Sequence, residues 1–289
     1  MSVDAARALP ATTAMGPVHL TVGHLGRSLA YYEGSIGLAV LDRGKGNASL
    51  GAGERELLVL VEEPGAQPVR HSTGLFHFAL LVPERADLAR WLAHGARERV
   101  PLVGMSDHFV SEAIYLSDPD GHGIEIYADR PREVWEGKVM TRMTTEPLDV
   151  PALLSELDDP AREPFEGLPA GTRMGHVHLQ VASTEDAVGF YRDVLGFDLM
   201  AELLGSAVFF GAGGYHHHVG GNTWHSRGAS PAPPGSAALR QATILLADAA
   251  ERDRVAARVA ATGQDPHAHG DELLVRDPSG IALALDVVR

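Results

Sequence analysis

The chain has 289 residues, enough for one large domain or two ordinary ones with a sizeable core. Its formal net charge is −14 with no long basic run, and acidic surfaces repel phosphate backbones and anionic lipid heads, so neither nucleic acid nor membrane is expected as a partner. There is no cysteine, which excludes disulfides, thiolate metal sites and a cysteine nucleophile and fits a reducing, cytoplasmic setting.

The first stretch, MSVDAARALPATTA (1–14), has no apolar core of signal-peptide length and reads as a flexible arm. No apolar run approaches the length of a membrane span. GPVHLTV then alternates as a strand does, with Val18, Leu20 and Val22 on one face and His19 and Thr21 on the other. GRSLAYYEGSIG follows with helical spacing, and short alternating segments broken by glycine come after it. GLFHFALLV opens a second such unit, with RADLARWLAHGARE as its helix and EAIYLSDPDGHGIEIY as a hairpin around DPDG. Residues 131–171, rich in proline and charge, read as a connector with one short helix at VPALLSEL. GHVHLQV opens a third unit. LRQATILL opens a fourth, with AERDRVAARVAATG as its helix.

A repeat underlies this order. MGPVHLTV matches MGHVHLQV, LAYYEGSIGLAVL matches VGFYRDVLGFDLM, and DPDGHGIEIY matches DPSGIALALD, all at an offset of 159 residues. The fold class is therefore α+β. Four βαβββ modules pair into two homologous curved-sheet, barrel-like domains, 15–130 and 172–289.

The polar faces of the opening strands should line the concave side of each sheet. They carry His19 in the first unit and His176, His178 and Gln180 in the third. With the four opening strands lined up, His19, His77, His178 and Gln241 fall at one position. Glu125 lies between Ile124 and Ile126, where a carboxylate is costly to bury unless it is paired or bound to metal; the fourth unit has Ala284 there. His19, His77 and Glu125 thus form a candidate facial triad for Fe(II) or Mn(II), with open positions for substrate and oxygen. Against it stands the possibility that each strand histidine is merely a satisfied polar residue. Tyr115 and Glu125 are equidistant from residue 120 at the hairpin tip, so Tyr115 should face Glu125, where a phenol can orient a substrate oxygen or relay a proton; the alternative is a packing tyrosine. His108, at the start of the same strand, is either an acid–base group at the pocket mouth or a loop histidine. His122, in the turn, is expected to face solvent, and SRGASPAPPGS (226–236) to be a mobile loop.

The four units, the strand-opening histidines, FYRDVLGF and DPDGHGIEIY resemble the vicinal oxygen chelate superfamily of glyoxalase I, fosfomycin-type thiol transferases, bleomycin-binding proteins and type I extradiol dioxygenases. GLFHFALLVPERADLARWL, SDHFVSEAIYLSDPDGHGIEIYADRP and GGYHHHVGGNTW look like its two-domain, catechol-2,3-dioxygenase-like branch. The resemblance places the metal on His19, His77 and Glu125 and a proton-handling phenol on Tyr115, with His108 as a further proton-handling group. It implies an extradiol enzyme that opens a catechol-type aromatic diol with O2, as a possible homo-oligomer. In the well-known two-domain members the metal sits in the second half, whereas Gln241 and Ala284 here leave that half short of ligands. A different metal enzyme on this fold (a thiol transferase, lyase or isomerase) and a metal-free binding or resistance protein remain alternatives. Glyoxalase I chemistry is disfavoured because ELLVLV offers only leucines and valines where a second glutamate would come. The run His216–His218 is expected on the closing strand of unit three, with one or two rings toward a second-half cavity near His178.

Overall fold

The computed structural model describes residues 7–203 and 205–288. The first module comprises β1 (Ala14–Val22), α1 (Leu25–Tyr31), β2 (Ala39–Arg43), β3 (Asn47–Ala52) and β4 (Arg55–Glu62). The second comprises β5 (Gly74–Leu81), α2 (Arg85–Glu98), β6 (Gly104–Asp107), β7 (Ser111–Ser117) and β8 (Gly123–Asp129). The connector folds into α3 (Arg132–Trp135), α4 (Val139–Arg142), the two-residue β9 (Glu146–Pro147) and α5 (Val150–Leu154). The third module is β10 (Arg173–Gln180), α6 (Thr184–Val188), β11 (Asp198–Leu203), β12 (Ala207–Gly211) and β13 (Val219–Asn222). The fourth is β14 (Leu239–Leu246), α7 (Ala249–Ala260), β15 (His267–His269), β16 (Glu272–Arg276) and β17 (Ala282–Val287).

Each opening strand hydrogen-bonds in parallel to the last strand of its own module, and its other edge must find a partner. Modules adjacent in sequence do not supply it. β1 pairs antiparallel with β14 and β5 with β10, giving an eight-stranded sheet of modules one and four and a nine-stranded sheet of modules two and three with β9 of the connector at its edge. The homologous halves at 15–130 and 172–289 are therefore repeats of sequence, and each sheet takes one module from either half. The four opening positions singled out in the sequence lie opposite one another in pairs, His77 with His178 and His19 with Gln241.

Alternation separates the faces as the sequence requires. Val18, Leu20, Val22, Val177, Leu179 and Val181 are fully buried against the helices in one continuous core. From α2, Trp91 joins that core and donates its indole N–H to the Ile36 carbonyl at 3.1 Å. Part of the segment expected to be a flexible arm is docked: Leu9 is buried and its amide bonds to the Gly196 carbonyl, while residues 1–6 lie outside the described residues. The stretch 226–236 is also tied down, since Ser226 donates to the Val181 carbonyl and Ser230 accepts from the Thr73 amide.

Candidate metal centre

The hairpin that carries Tyr115 and Glu125 is fixed by its turn. Gly121 takes the left-handed backbone conformation at φ +89°, which only glycine adopts without strain. The Asp118 carboxylate accepts from the amides of Asp120 and His122 at 2.9 and 2.8 Å and from the Tyr32 hydroxyl at 2.9 Å. This pins the register, and Tyr115 pairs with Glu125 as the spacing requires. His122 does not face solvent. It is buried and donates from Nε2 to the Thr21 carbonyl at 2.9 Å, because the turn docks across β1 of the other sheet. Asp120 helps, accepting from the Gly23 amide.

Glu125 lies beside Ala79 in the neighbouring strand, and His176 lies opposite that same Ala79. Beside His176, Gly175 has no room for a side chain, since a Cβ would meet the Tyr127 hydroxyl at 1.9 Å. Three donor atoms therefore converge: His77 Nε2 lies 3.0 Å from Glu125 Oε2, His176 Nε2 lies 3.1 Å from the same oxygen, and the two nitrogens are 3.3 Å apart. All three residues are buried. Donors about 3 Å apart are what ligands at right angles present to a divalent ion about 2.1 Å away. Burial would push the Glu125 carboxyl up, but the His176 and His77 rings against it hold it well below the usual carboxylate range. Burial lowers His176 despite that carboxylate, which keeps its ring in the neutral form that binds metals. The buried Nδ1 of His176 has no acceptor, so packing orients the ring, with His217 at 4.1 Å and Tyr127 at 4.9 Å between ring centroids. The three residues form a His/His/Glu metal site.

His19 is not part of it. It sits in the eight-stranded sheet opposite Gln241, and burial, Arg240 and His269 lower it to about 4. His176 takes its place. These histidines lie at different distances from the helices that follow them, so setting His77 against His19 and His178 puts the latter pair two residues too far along. Counted back seven residues from each helix N-cap (His24, Glu84, Ser183 and Asp248), the equivalent positions are Pro17, His77, His176 and Gln241. His178 is a neighbour of the site, its ring centroid 5.0 Å from that of His77 and its buried Nε2 without a partner. Burial first, then His77 and His176, keep its pKa well below the ordinary histidine value.

The cluster lines a cavity of about 770 Å³. Phe76, Phe209, Trp224 and Val110 supply apolar wall, and no arginine or lysine lines it among the described residues. Met143–Thr145 of the connector close one side. There the Thr144 carbonyl accepts from His108 Nδ1 at 2.7 Å, which leaves His108 Nε2 to accept from the Tyr115 hydroxyl at 2.6 Å. Burial and then the Glu125 charge push the Tyr115 phenol well above its ordinary pKa. The histidine run is a loop leading into β13, not a strand. His216 turns to Asp129, His217 faces the cavity, and His218 accepts from the Ala212 amide elsewhere. In the facing module the place equivalent to Glu125 is Gly220, so a second carboxylate is missing there; the leucines and valines of β4 belong to the other sheet and do not decide the matter.

Residues 14–126 and 173–285 each match the model of the Glyoxalase/Bleomycin resistance protein/Dioxygenase superfamily. The chain is 44% identical over 278 residues to the catechol-2,3-dioxygenase of Bacillus subtilis strain 168, covering 92% of this chain and 94% of that one. Its fold is similar to the crystal structure of glyoxalase I from Zea mays, at TM-score 0.58 and 18% identity over 96% of this chain and 92% of that chain. It is also similar to the cppA protein of Streptococcus pneumoniae TIGR4, at TM-score 0.55 and 12% identity over 95% and 99%. Two tandem domain matches, the βαβββ modules and the paired curled sheets together place this chain in the glyoxalase/bleomycin resistance protein/dioxygenase superfamily.

Proposed function

We propose that the chain is an extradiol dioxygenase that opens a catechol-type diol with O2, and that Fe(II), with Mn(II) as the alternative, is held by His77, His176 and Glu125. The observation that carries this reading is the convergence of those three donors under a cavity whose wall holds the Tyr115–His108 pair. The identity to a relative named catechol-2,3-dioxygenase supports it. A two-histidine, one-carboxylate set suits a reaction that needs open coordination positions, and Gly220 argues against a four-ligand set.

A divalent metal held by His77, His176 and Glu125 would supply Lewis acidity and open coordination positions for a vicinal diol and oxygen. The chain's own residues do the rest. Phe76, Phe209 and Trp224 wall in an aromatic ring, and the want of a cation among the described lining residues favours an uncharged diol. Tyr115 keeps a proton at ordinary pH, so it acts as a relay: it takes a proton from a diol hydroxyl as it passes its own along the 2.6 Å bond to His108 Nε2, while the Thr144 carbonyl holds the far side of that ring. His178 and His217 offer further ring nitrogens to the diol. Both oxygen atoms enter the product, one ring C–C bond beside the diol breaks, and no outside reductant is consumed.

The test is anaerobic purification, measurement of bound iron and manganese after Fe(II) reconstitution, then addition of catechol and oxygen. The expected result is about one metal per chain, stoichiometric oxygen uptake and the yellow ring-opened product. Stoichiometric iron with no oxygen uptake on any catechol would overturn the dioxygenase reading, and failure to hold any divalent metal would overturn metal chemistry altogether.

A further inference from the structure

We propose that Asp129 and His216 are positioning residues: through two consecutive hydrogen bonds they hold His217 in the Nδ1–H tautomer, leaving its Nε2 bare at the cavity wall to accept from a ligand hydroxyl. The inference rests on the proposed catechol reaction only for the identity of that ligand.

Asp129 closes β8, four residues beyond Glu125, and its carboxylate can only accept. His216 Nε2 lies 2.8 Å from Asp129 Oδ1, so the ring's proton sits on Nε2. The other nitrogen of a neutral His216 is then an acceptor. It lies 2.8 Å from His217 Nδ1, which must supply the hydrogen. One carboxylate thus sets two tautomers in series. His217 Nε2 makes no hydrogen bond among the described residues, and the ring lines the cavity against His176.

The chain is held from both sides. His216 is fully buried, with its ring centroid 4.0 Å from that of Tyr215 and 5.4 Å from that of Trp135. Tyr215 donates to Asp129 Oδ2 at 3.0 Å, which fixes the carboxylate's orientation, and shares a 2.9 Å hydrogen bond with Tyr127. Asp129 itself is partly exposed, so the buried relay starts at the surface and ends at the cavity.

The test reads the tautomer directly. Long-range 1H–15N spectra of 15N-histidine-labelled protein, loaded with diamagnetic Zn(II), are recorded for the wild type, His216→Phe and Asp129→Leu; the His217 signals are assigned by their loss in His217→Gln. The wild type should show His217 protonated on Nδ1 alone, and both variants should show a mixture or the Nε2–H form. In the Fe(II) enzyme both variants should lower kcat on catechol about tenfold or more with KM within about twofold, whereas a merely structural role would leave the tautomer as it was. His217 found protonated on Nε2 in the wild type, or unmoved in both variants, would overturn the proposal. Asp129→Leu keeps the test open if His216→Phe does not fold. Because the tautomer is read without substrate or oxygen, a failure of the catechol reaction leaves this result standing, and the reverse also holds.

Discussion

The two sheets have the same strand plan and opposite contents. In one, the positions seven residues before the helix caps are His77 and His176; in the other they are Gln241 and Pro17. Glu125 lies beside Ala79 in the first, and Ala284 lies beside Thr243 in the second. The buried turns beneath are alike: Asp118 accepts from Tyr32 and two backbone amides, and Asp277 from Tyr191 and two backbone amides. The frame is thus indifferent to function, and three side chains on one pair of opening strands and one closing strand make the difference.

The largest effect should come from removing those side chains. His77→Ala, His176→Ala and Glu125→Gln are each expected to abolish stoichiometric metal binding and lower ring cleavage by about 10³-fold or more, while His19→Ala stays within about twofold. Metal analysis and oxygen uptake check both halves of the comparison, and a His19→Ala variant without metal would break it. Next, the empty frame can be burdened. Ala284 is fully buried, so Ala284→Glu places an unpaired carboxylate in the core and should cost about 3–5 kcal/mol, lowering Tm by roughly 6–15 °C. The triple variant Pro17→His, Gln241→His, Ala284→Glu should regain part of that Tm on addition of Zn(II), and an Ala284→Glu protein as stable as the wild type would contradict the equivalence of the two frames.

A smaller effect separates holding metal from moving protons. Tyr115→Phe keeps the ring but loses the bond to His108, so kcat should fall about 10- to 100-fold with metal content unchanged. The smallest concerns pH and belongs to the other sheet. His19 is lowered to about 4 in the folded chain from 6.5, so between those values the unfolded chain binds the extra proton. Stability is therefore full above about 6.5 and is lost as pH falls toward 4, by no more than about 3 kcal/mol. His19→Gln should flatten Tm against pH in that window, and an unchanged slope would show that His19 does not titrate as its surroundings demand.

The repeat made the modules legible, and the centre of the DPDG turn located Tyr115 against Glu125. His176 lies on the polar face the sequence assigns it, but histidine is a false mark of equivalence between the strands, since it sets His178 and not His176 against His77. The true ruler, the helix N-cap, is easy to read at Ser183 and Asp248 and obscure at His24 and Glu84, which are not preferred capping residues. The exchange of partners between halves left no trace in the strands, because an opening strand's free edge offers the same backbone groups to any other. The connector's part in the site was hidden for a like reason, since Thr144 acts through its carbonyl and not its side chain.

The pairing of β5 with β10 nests one sheet inside the other along the chain. Every proposed ligand, together with Tyr115, His108 and His217, falls between Gly74 and Asn222, and the outer sheet is closed only by strands that end at Val287. During synthesis the site-bearing sheet has all its strands while the last module is still being made, a lead of roughly 3–13 s at ordinary elongation rates. Over that interval β1 waits with one edge unpaired for β14. The burden of ordered assembly thus falls on the sheet that carries no proposed chemistry, and the centre that must be accurate to a fraction of an ångström can form early from neighbours in the chain.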